Sequence, residues 1–180
     1  MTDSVILDSE AFHQTIRRLA IEISERSETA DAPLALVGIR TRGVPLSRRI
    51  AHFVQEKTGR NPALGVLDIT LYRDDLTAIA EQPVVRETQL PFAVDNAWIV
   101  LVDDVLYTGR TVRAAITALI DFGRPRKIEL LVMVDRGGRE LPIHADYVGT
   151  TVETVREQMV NLLVDEEDGR DEVLLAEGTE

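Results

Sequence analysis

The chain has 180 residues, enough for one compact α/β domain, and 44% of them are hydrophobic, which excludes global disorder. It contains no cysteine, so disulfides, zinc–thiolate sites and a thiol nucleophile are excluded, and a reducing cytoplasm is the expected setting. Asp and Glu outnumber Lys and Arg by 31 to 20; the resulting net charge of −11 argues against attraction of the whole surface to nucleic acid and leaves only a local basic face as a route to it.

The N-terminus carries Asp3, Asp8, Glu10, Arg17 and Arg18 and so has no signal-peptide core. No apolar run approaches the roughly 20 residues of a membrane span, and no membrane partner is expected. Ser9 to Ser27 predicts an amphipathic helix with Ile16, Leu19, Ala20 and Ile23 on one face. Leu34 to Ile39 is a buried-strand candidate behind Pro33. A second helix runs to about Thr58, with Leu46, Ile50, Phe53 and Val54 inward and Gly59 as its C-terminal stop. Leu64 to Tyr72 reads as a strand. Residues of about 72–96, with Pro83 and Pro91 and weak periodicity, read as a long functional or mobile loop.

WIVLVDDV is an apolar strand that meets charge at its end. A third helix is predicted from about Thr108 to Phe122, with Val112, Ala115, Ile116 and Leu119 inward, stopped by Gly123 and Pro125. IELLVMVD is a further central strand, YVG a short one, and VNLLV and VLLAE flank DEEDGRDE as an edge hairpin. No repeat or interdomain linker is present, so residues 1–180 read as a single domain. The β-α-β-α alternation predicts a mostly parallel central sheet with helices on both faces. In such sheets ligands bind beyond the carboxyl ends of the strands. Three of those ends carry concentrated polar chemistry: IRTRG, DDVLYTGRT and DRGGRE.

The densest of them is VLVDDVLYTGRT. Thr108, Gly109, Arg110 and Thr111 fall at a helix start, where unpaired backbone N–H groups and the helix dipole favour an anion, and Gly109 lets the backbone approach it. Asp103 and Asp104 would repel that anion by contact. They match sugar hydroxyls and a hydrated Mg²⁺ beside it. Phosphoribosyl pyrophosphate (PRPP), with a phosphate, a diol and a diphosphate in sequence, satisfies every group. The alternative, an ordinary helix cap beside a charged strand end, stays open at this point. The glycine patterns of Walker and dinucleotide loops are missing. His13, His52 and His144 sit where surface packing is expected, and no strong general base stands out.

Four apolar residues, two acids, two apolar residues and T-G-x-T make this stretch resemble the type I phosphoribosyltransferases. In the form DDVLYTGRT, with Tyr107 where most of those enzymes carry a small residue, it is similar to the branch that combines regulation of the pyrimidine operon with uracil phosphoribosyltransferase activity. VILD (Val5 to Asp8), GIRTRGVPL, DITLYRDDL, VDRGGRELPI and ADYVG extend the resemblance over most of the chain, up to about the last thirty residues.

The resemblance implies a type I phosphoribosyltransferase fold with a small hood, conversion of uracil and PRPP to UMP and pyrophosphate, and Mg²⁺ as cofactor, held through water by Asp103 and Asp104. It assigns pyrophosphate to Arg40, Thr41, Arg42 and Gly43, in a loop where related enzymes often have a cis or strained peptide. The ribose and 5′-phosphate go to Asp103, Asp104, Val105, Leu106, Tyr107, Thr108, Gly109, Arg110 and Thr111, with Asp103, Asp104 and Arg42 as the catalytic set. Arg136 and Val160 line the base pocket. Tyr72, Arg73 and Asp74 belong to a flexible loop that closes over the substrates.

A second implied role is an RNA-binding repressor that senses uridine nucleotides, UMP or UTP, and binds the leader of pyrimidine messenger RNA. Arg17, Arg18 and Arg26 are its candidate contacts, although Ile21 stands where histidine is expected and Thr150 where lysine is usual. A nucleobase phosphoribosyltransferase without an RNA role is the alternative; DRGGRELPI disfavours a purine-type enzyme. The family norm further implies a homodimer or homotetramer.

Overall fold

The structure is a computed structural model that describes residues 3–74, 86–155 and 157–177. Two sheets organise it. The larger is fully parallel, in the order β3-β2-β4-β5-β6, built from β2 (Leu34–Ile39), β3 (Ala63–Leu67), β4 (Trp98–Leu106), β5 (Lys127–Asp135) and β6 (Tyr147–Thr151). The smaller is an antiparallel hood in the order β1-β8-β7, from β1 (Ser4–Leu7), β7 (Gln158–Leu163) and β8 (Glu172–Glu177). The predicted terminal hairpin therefore exists, but it pairs with the N-terminal VIL segment in a sheet of its own rather than edging the main sheet.

Helices cover both faces of the parallel sheet. α1 (Ser9–Glu28) begins where the Asp8 side chain accepts a hydrogen bond from Ala11 N at 2.9 Å, and it buries Phe12, Ile16, Leu19, Ala20 and Ile23. α2 (Gly43–Thr58) packs beside it and stops at Gly59 in the left-handed region. On the opposite face α3 (Arg110–Ile120) buries Val112, Ala114, Ala115, Ala118 and Leu119 against Val37, Ile39, Ile99, Leu101 and Val132. Each fully buried Leu or Ile contributes about 2 kcal/mol from its apolar area, so these two cores dominate stability. A one-turn helix, α4 (Asp165–Asp168), links β7 to β8.

Two predicted bounds shift for local reasons. The strand expected over Leu64 to Tyr72 ends at Leu67, because the Asp68 carboxylate accepts from both Thr70 N (2.8 Å) and Thr70 Oγ1 (2.5 Å) and turns the chain into a 3-10 turn, Thr70–Tyr72. The third helix begins at Arg110 instead of Thr108, since Gly109 takes φ 89° just before it.

Two glycines bring the chemistry together. A Cβ at Gly38 would sit 2.5 Å from the Gly43 carbonyl oxygen, and one at Gly43 2.2 Å from that of Val102. Their missing side chains let the start of α2 settle onto the sheet between β2 and β4, which places residues 40–42 beside the carboxyl end of β4. Among the described residues no helix is long and apolar enough to cross a membrane.

Candidate active site

A cavity of about 400 Å³ opens at the carboxyl ends of β2, β3 and β4. Arg40, Thr41, Arg42, Arg73, Asp103, Asp104, Val105 and Thr111, all read from the sequence as site residues, line it together. Asp68, Ile69, Thr70 and Arg86 complete the wall and were not foreseen. Four arginines thus face three carboxylates, a lining suited to a polyanion that also carries hydroxyls.

The two sides of this wall are built differently. The Arg40–Thr41 peptide bond is cis. Arg40 donates from Nη2 to the Glu87 carbonyl at 3.2 Å, while its Nε is buried with no acceptor among the described residues. Arg42 is engaged: Nε donates to Asp168 Oδ2 at 3.0 Å and Nη2 to Oδ1 at 2.8 Å. Gly43 is buried as the first residue of α2; its part is the close approach to Val102, not lining the cavity.

On the opposite side Asp103 is buried, and burial, followed by the neighbouring charge of Asp104, pushes its carboxyl well above the usual range. Asp104 is half-buried and accepts from Val105 N at 2.8 Å. Burial also pushes Asp68 up, but hydrogen bonds from Thr70 and the Arg86 backbone outweigh it and hold its carboxyl below the ordinary value.

The 5′-phosphate candidate follows directly. Among the described residues the start of α3 has no side-chain cap; only Thr108 Oγ1 approaches Arg110 N, at 3.3 Å. Backbone donors there are left for a ligand. Gly109 is covered from behind, since a Cβ on it would lie 3.3 Å from Ile143. A second hollow of about 250 Å³, lined by Arg73, Asp74, Thr108, Arg110, Thr111 and Glu140, adjoins this corner. Leu106 points its side chain into the core rather than toward a ligand. The Arg110 guanidinium faces outward and pairs with Glu140 (2.6 Å) and Asp74 (2.7 Å).

Tyr107 turns to the next strand end, where its ring lies under the Arg136 guanidinium, 4.0 Å from centroid to Cζ. Arg136 is buried and donates to Thr154 Oγ1 (3.2 Å) and the Gln158 carbonyl (2.8 Å), which ties the DRGGRE loop to the hood. Val160 is half-buried and lies two residues beyond Gln158 on the same face of β7. Arg139, unforeseen from sequence, fixes this loop from within through the carbonyls of Tyr107, Gly137 and Ile143 and the carboxylate of Asp135.

Of the expected closing loop, Tyr72 and Asp74 are docked on α3: the Tyr72 hydroxyl donates to Asp121 at 2.6 Å, and Asp74 receives Arg110 and, at 3.6 Å, Arg113. Residues 75–85 of that loop lie outside the described ones. The three arginines expected to meet RNA are exposed on α1, each with a partner. Arg17 stacks 5.0 Å from the Phe53 ring centroid. Arg18 binds Glu22 and the carbonyls of Val148 and Gly149. Arg26 lies over Tyr147 and pairs with the buried Glu129. His13 bonds to Asp171 at 3.0 Å and His52 pairs with Glu56, surface roles as expected.

A group of three or more His, Cys, Asp or Glu side chains able to hold a metal by themselves does not occur among the described residues. Asp103 and Asp104 nevertheless fit Mg²⁺, which takes one or two protein carboxylates and completes its shell with water and phosphate oxygens.

Comparison with known proteins agrees with this geometry. Residues 4–167 match the family model described as a phosphoribosyl transferase domain. The chain is 52% identical over 175 residues to the bifunctional protein PyrR of Pelotomaculum thermopropionicum, covering 97% of this chain and 96% of that one. It is 55% identical over 172 residues to the bifunctional protein PyrR of Thermus aquaticus, covering 96% and 94%. Among solved structures, the hypoxanthine phosphoribosyltransferase of Trypanosoma cruzi superposes with a TM-score of 0.72 at 15% identity, covering 98% of this chain and 97% of its own, a likeness of fold.

Proposed function

This chain belongs to the phosphoribosyltransferase family, in its bifunctional PyrR branch, and on that premise we propose that it converts uracil and PRPP to UMP and pyrophosphate and regulates pyrimidine messenger RNA in response to uridine nucleotides. The observation that carries the enzymatic half is the single cavity in which the arginine loop 40–42, the acidic pair 103–104 and Thr111 at the start of α3 meet.

The reaction breaks the bond from the ribose anomeric carbon to diphosphate and forms one to the pyrimidine nitrogen, whose proton passes to the departing diphosphate or to water, through an oxocarbenium-like state. The open N–H groups at the start of α3 hold the 5′-phosphate and fix the ribose at one end. Asp103 and Asp104 accept from its hydroxyls, and their negative field favours the positive charge that develops on the sugar. Arg40 and Arg42 receive the departing diphosphate. Mg²⁺, held by Asp103 and Asp104 through water, would supply charge neutralisation on that leaving group. Arg136 and the backbone of its loop orient the base, with Val160 beyond. Such a site needs orientation and electrostatics more than a strong base, in keeping with the side chains present.

The regulatory half is supported by Arg17 and Arg18, exposed on one helix of an otherwise acidic chain, with Arg26 two turns further on. The test runs both halves on one preparation. Uracil, PRPP and Mg²⁺ are expected to yield UMP, and a pyrimidine leader RNA to bind more tightly when UMP is added. No UMP would overturn the enzymatic reading. Turnover with RNA binding that ignores UMP would leave a uracil phosphoribosyltransferase alone.

A further inference from the structure

Arg42 faces two ways. It lines the polar cavity beside Asp104, and its Nε and Nη2 edge is forked onto Asp168, which lies 126 positions along the chain in the hood. Asp168 is itself fixed. Its Oδ2 also accepts from Val164 N at 2.9 Å, and its own N–H closes the turn onto the Val164 carbonyl at 2.7 Å. The flanking Glu166 and Asp171 are both gripped by Arg49 of α2. The carboxylate therefore cannot follow Arg42 if Arg42 moves.

A carboxylate so near an anion site costs affinity through repulsion, so its place there calls for a geometric reason. An arginine side chain has four rotatable bonds, and a ligand that binds it must immobilise them all. Asp168 has already done so. The two donors of Nη1 remain uncommitted among the described residues.

We propose that Asp168 is a positioning residue for PRPP: it holds one edge of the Arg42 guanidinium so that the other is preset for the diphosphate, and it thereby fastens the hood to the pyrophosphate loop. The proposal rests on the reading of the cavity as a diphosphate site and adds to it a residue from the far end of the chain.

The test is a double-mutant cycle on the KM for PRPP, with wild type, Arg42→Ala, Asp168→Ala and the double variant. Asp168→Ala is expected to raise that KM about tenfold, with the KM for uracil nearly unchanged. In the Arg42→Ala background the same change is expected to add nothing. An equal rise in both backgrounds would overturn the proposal, because Asp168 would then act through hood packing. A fall in KM would overturn it as well, by making Asp168 a competitor of diphosphate. An Arg42→Ala variant with an unaltered KM for PRPP would instead remove the diphosphate reading of Arg42 itself, and this inference with it. Should Asp168→Ala fail to fold, Asp168→Asn, nearly the same shape without the charge, runs the same cycle.

Discussion

The Tyr107 ring is held between the Arg136 guanidinium, 4.0 Å from its centroid, and the backbone of Gly138, where a Cβ would come within 2.3 Å of Tyr107 Cε2. An unusual aromatic residue in the phosphate loop thus has its explanation at the end of the neighbouring strand, β5. Gly138 also has φ 65°, so Gly138→Ala combines a disfavoured backbone with a clash and should cost about 2 kcal/mol. The penalty should be smaller in a Tyr107→Ala background, where the clash is gone. Thermal unfolding of the two single variants and the double variant checks this; strictly additive losses would contradict it.

Asp103 and Asp104 differ in burial, so their amides should differ in effect. Asp104→Asn should lower turnover by about 10²- to 10³-fold while leaving the fold intact. Asp103→Asn should also lower turnover, yet raise the melting temperature in metal-free buffer at neutral pH, because burial and the Asp104 charge both disfavour its carboxylate. If Asp103→Asn melted earlier than wild type, its carboxylate would be a structural requirement.

Arg49 bridges Glu166 and the buried Asp171, at 2.9 Å and 2.8 Å, so Arg49→Ala should destabilise the protein by about 2 kcal/mol. Arg42 holds Asp168 below the ordinary carboxylate range; burial pushes Asp171 up, but Arg49 outweighs it and lowers it too. Groups depressed in the folded state stabilise it above their unfolded value, about 4, and that contribution is lost as pH falls through the folded values. Stability should therefore decline as pH drops below about 4, and the decline should be shallower in Arg49→Ala. Unfolding curves at a series of pH values measure both slopes.

Arg17 and Arg18 are exposed on α1. If each meets a phosphate, changing either to Ala should weaken leader-RNA binding by a similar factor for any sequence and reduce the salt slope by about one. UMP formation should be unchanged. Titrations at several salt concentrations decide it; an unaltered slope would place the RNA elsewhere.

How far the sequence reached depended on how far apart the cooperating residues lie. β2, the inward faces of α1 and α3, and the acidic pair followed by a glycine turn are local patterns, and each appears where the periodicity or the motif places it. Asp68 was hidden because its effect is a side-chain capture of Thr70 and Arg86 that ends a strand the β-branched content alone would prolong. Asp168 was hidden because its partner stands 126 residues away; of the acceptors of Arg139, only the Tyr107 carbonyl is distant, 32 residues back, the others lying within four residues of it. The DEEDGRDE stretch reads as the turn of an edge hairpin, and only the fold sets Arg42, Arg49 and His13 opposite it. The hood sheet was half legible: its hairpin shows in two apolar runs, but pairing of β1 with β8 joins the chain's two ends.

A crystal structure of the protein with UMP tests the central claim most directly. The account predicts the 5′-phosphate on the backbone N–H groups of residues 108–111, the ribose hydroxyls against Asp103 and Asp104, and the uracil ring beside the Arg136 loop. UMP bound elsewhere, with the start of α3 occupied by a side chain or the acidic pair out of reach of the ribose, would contradict it.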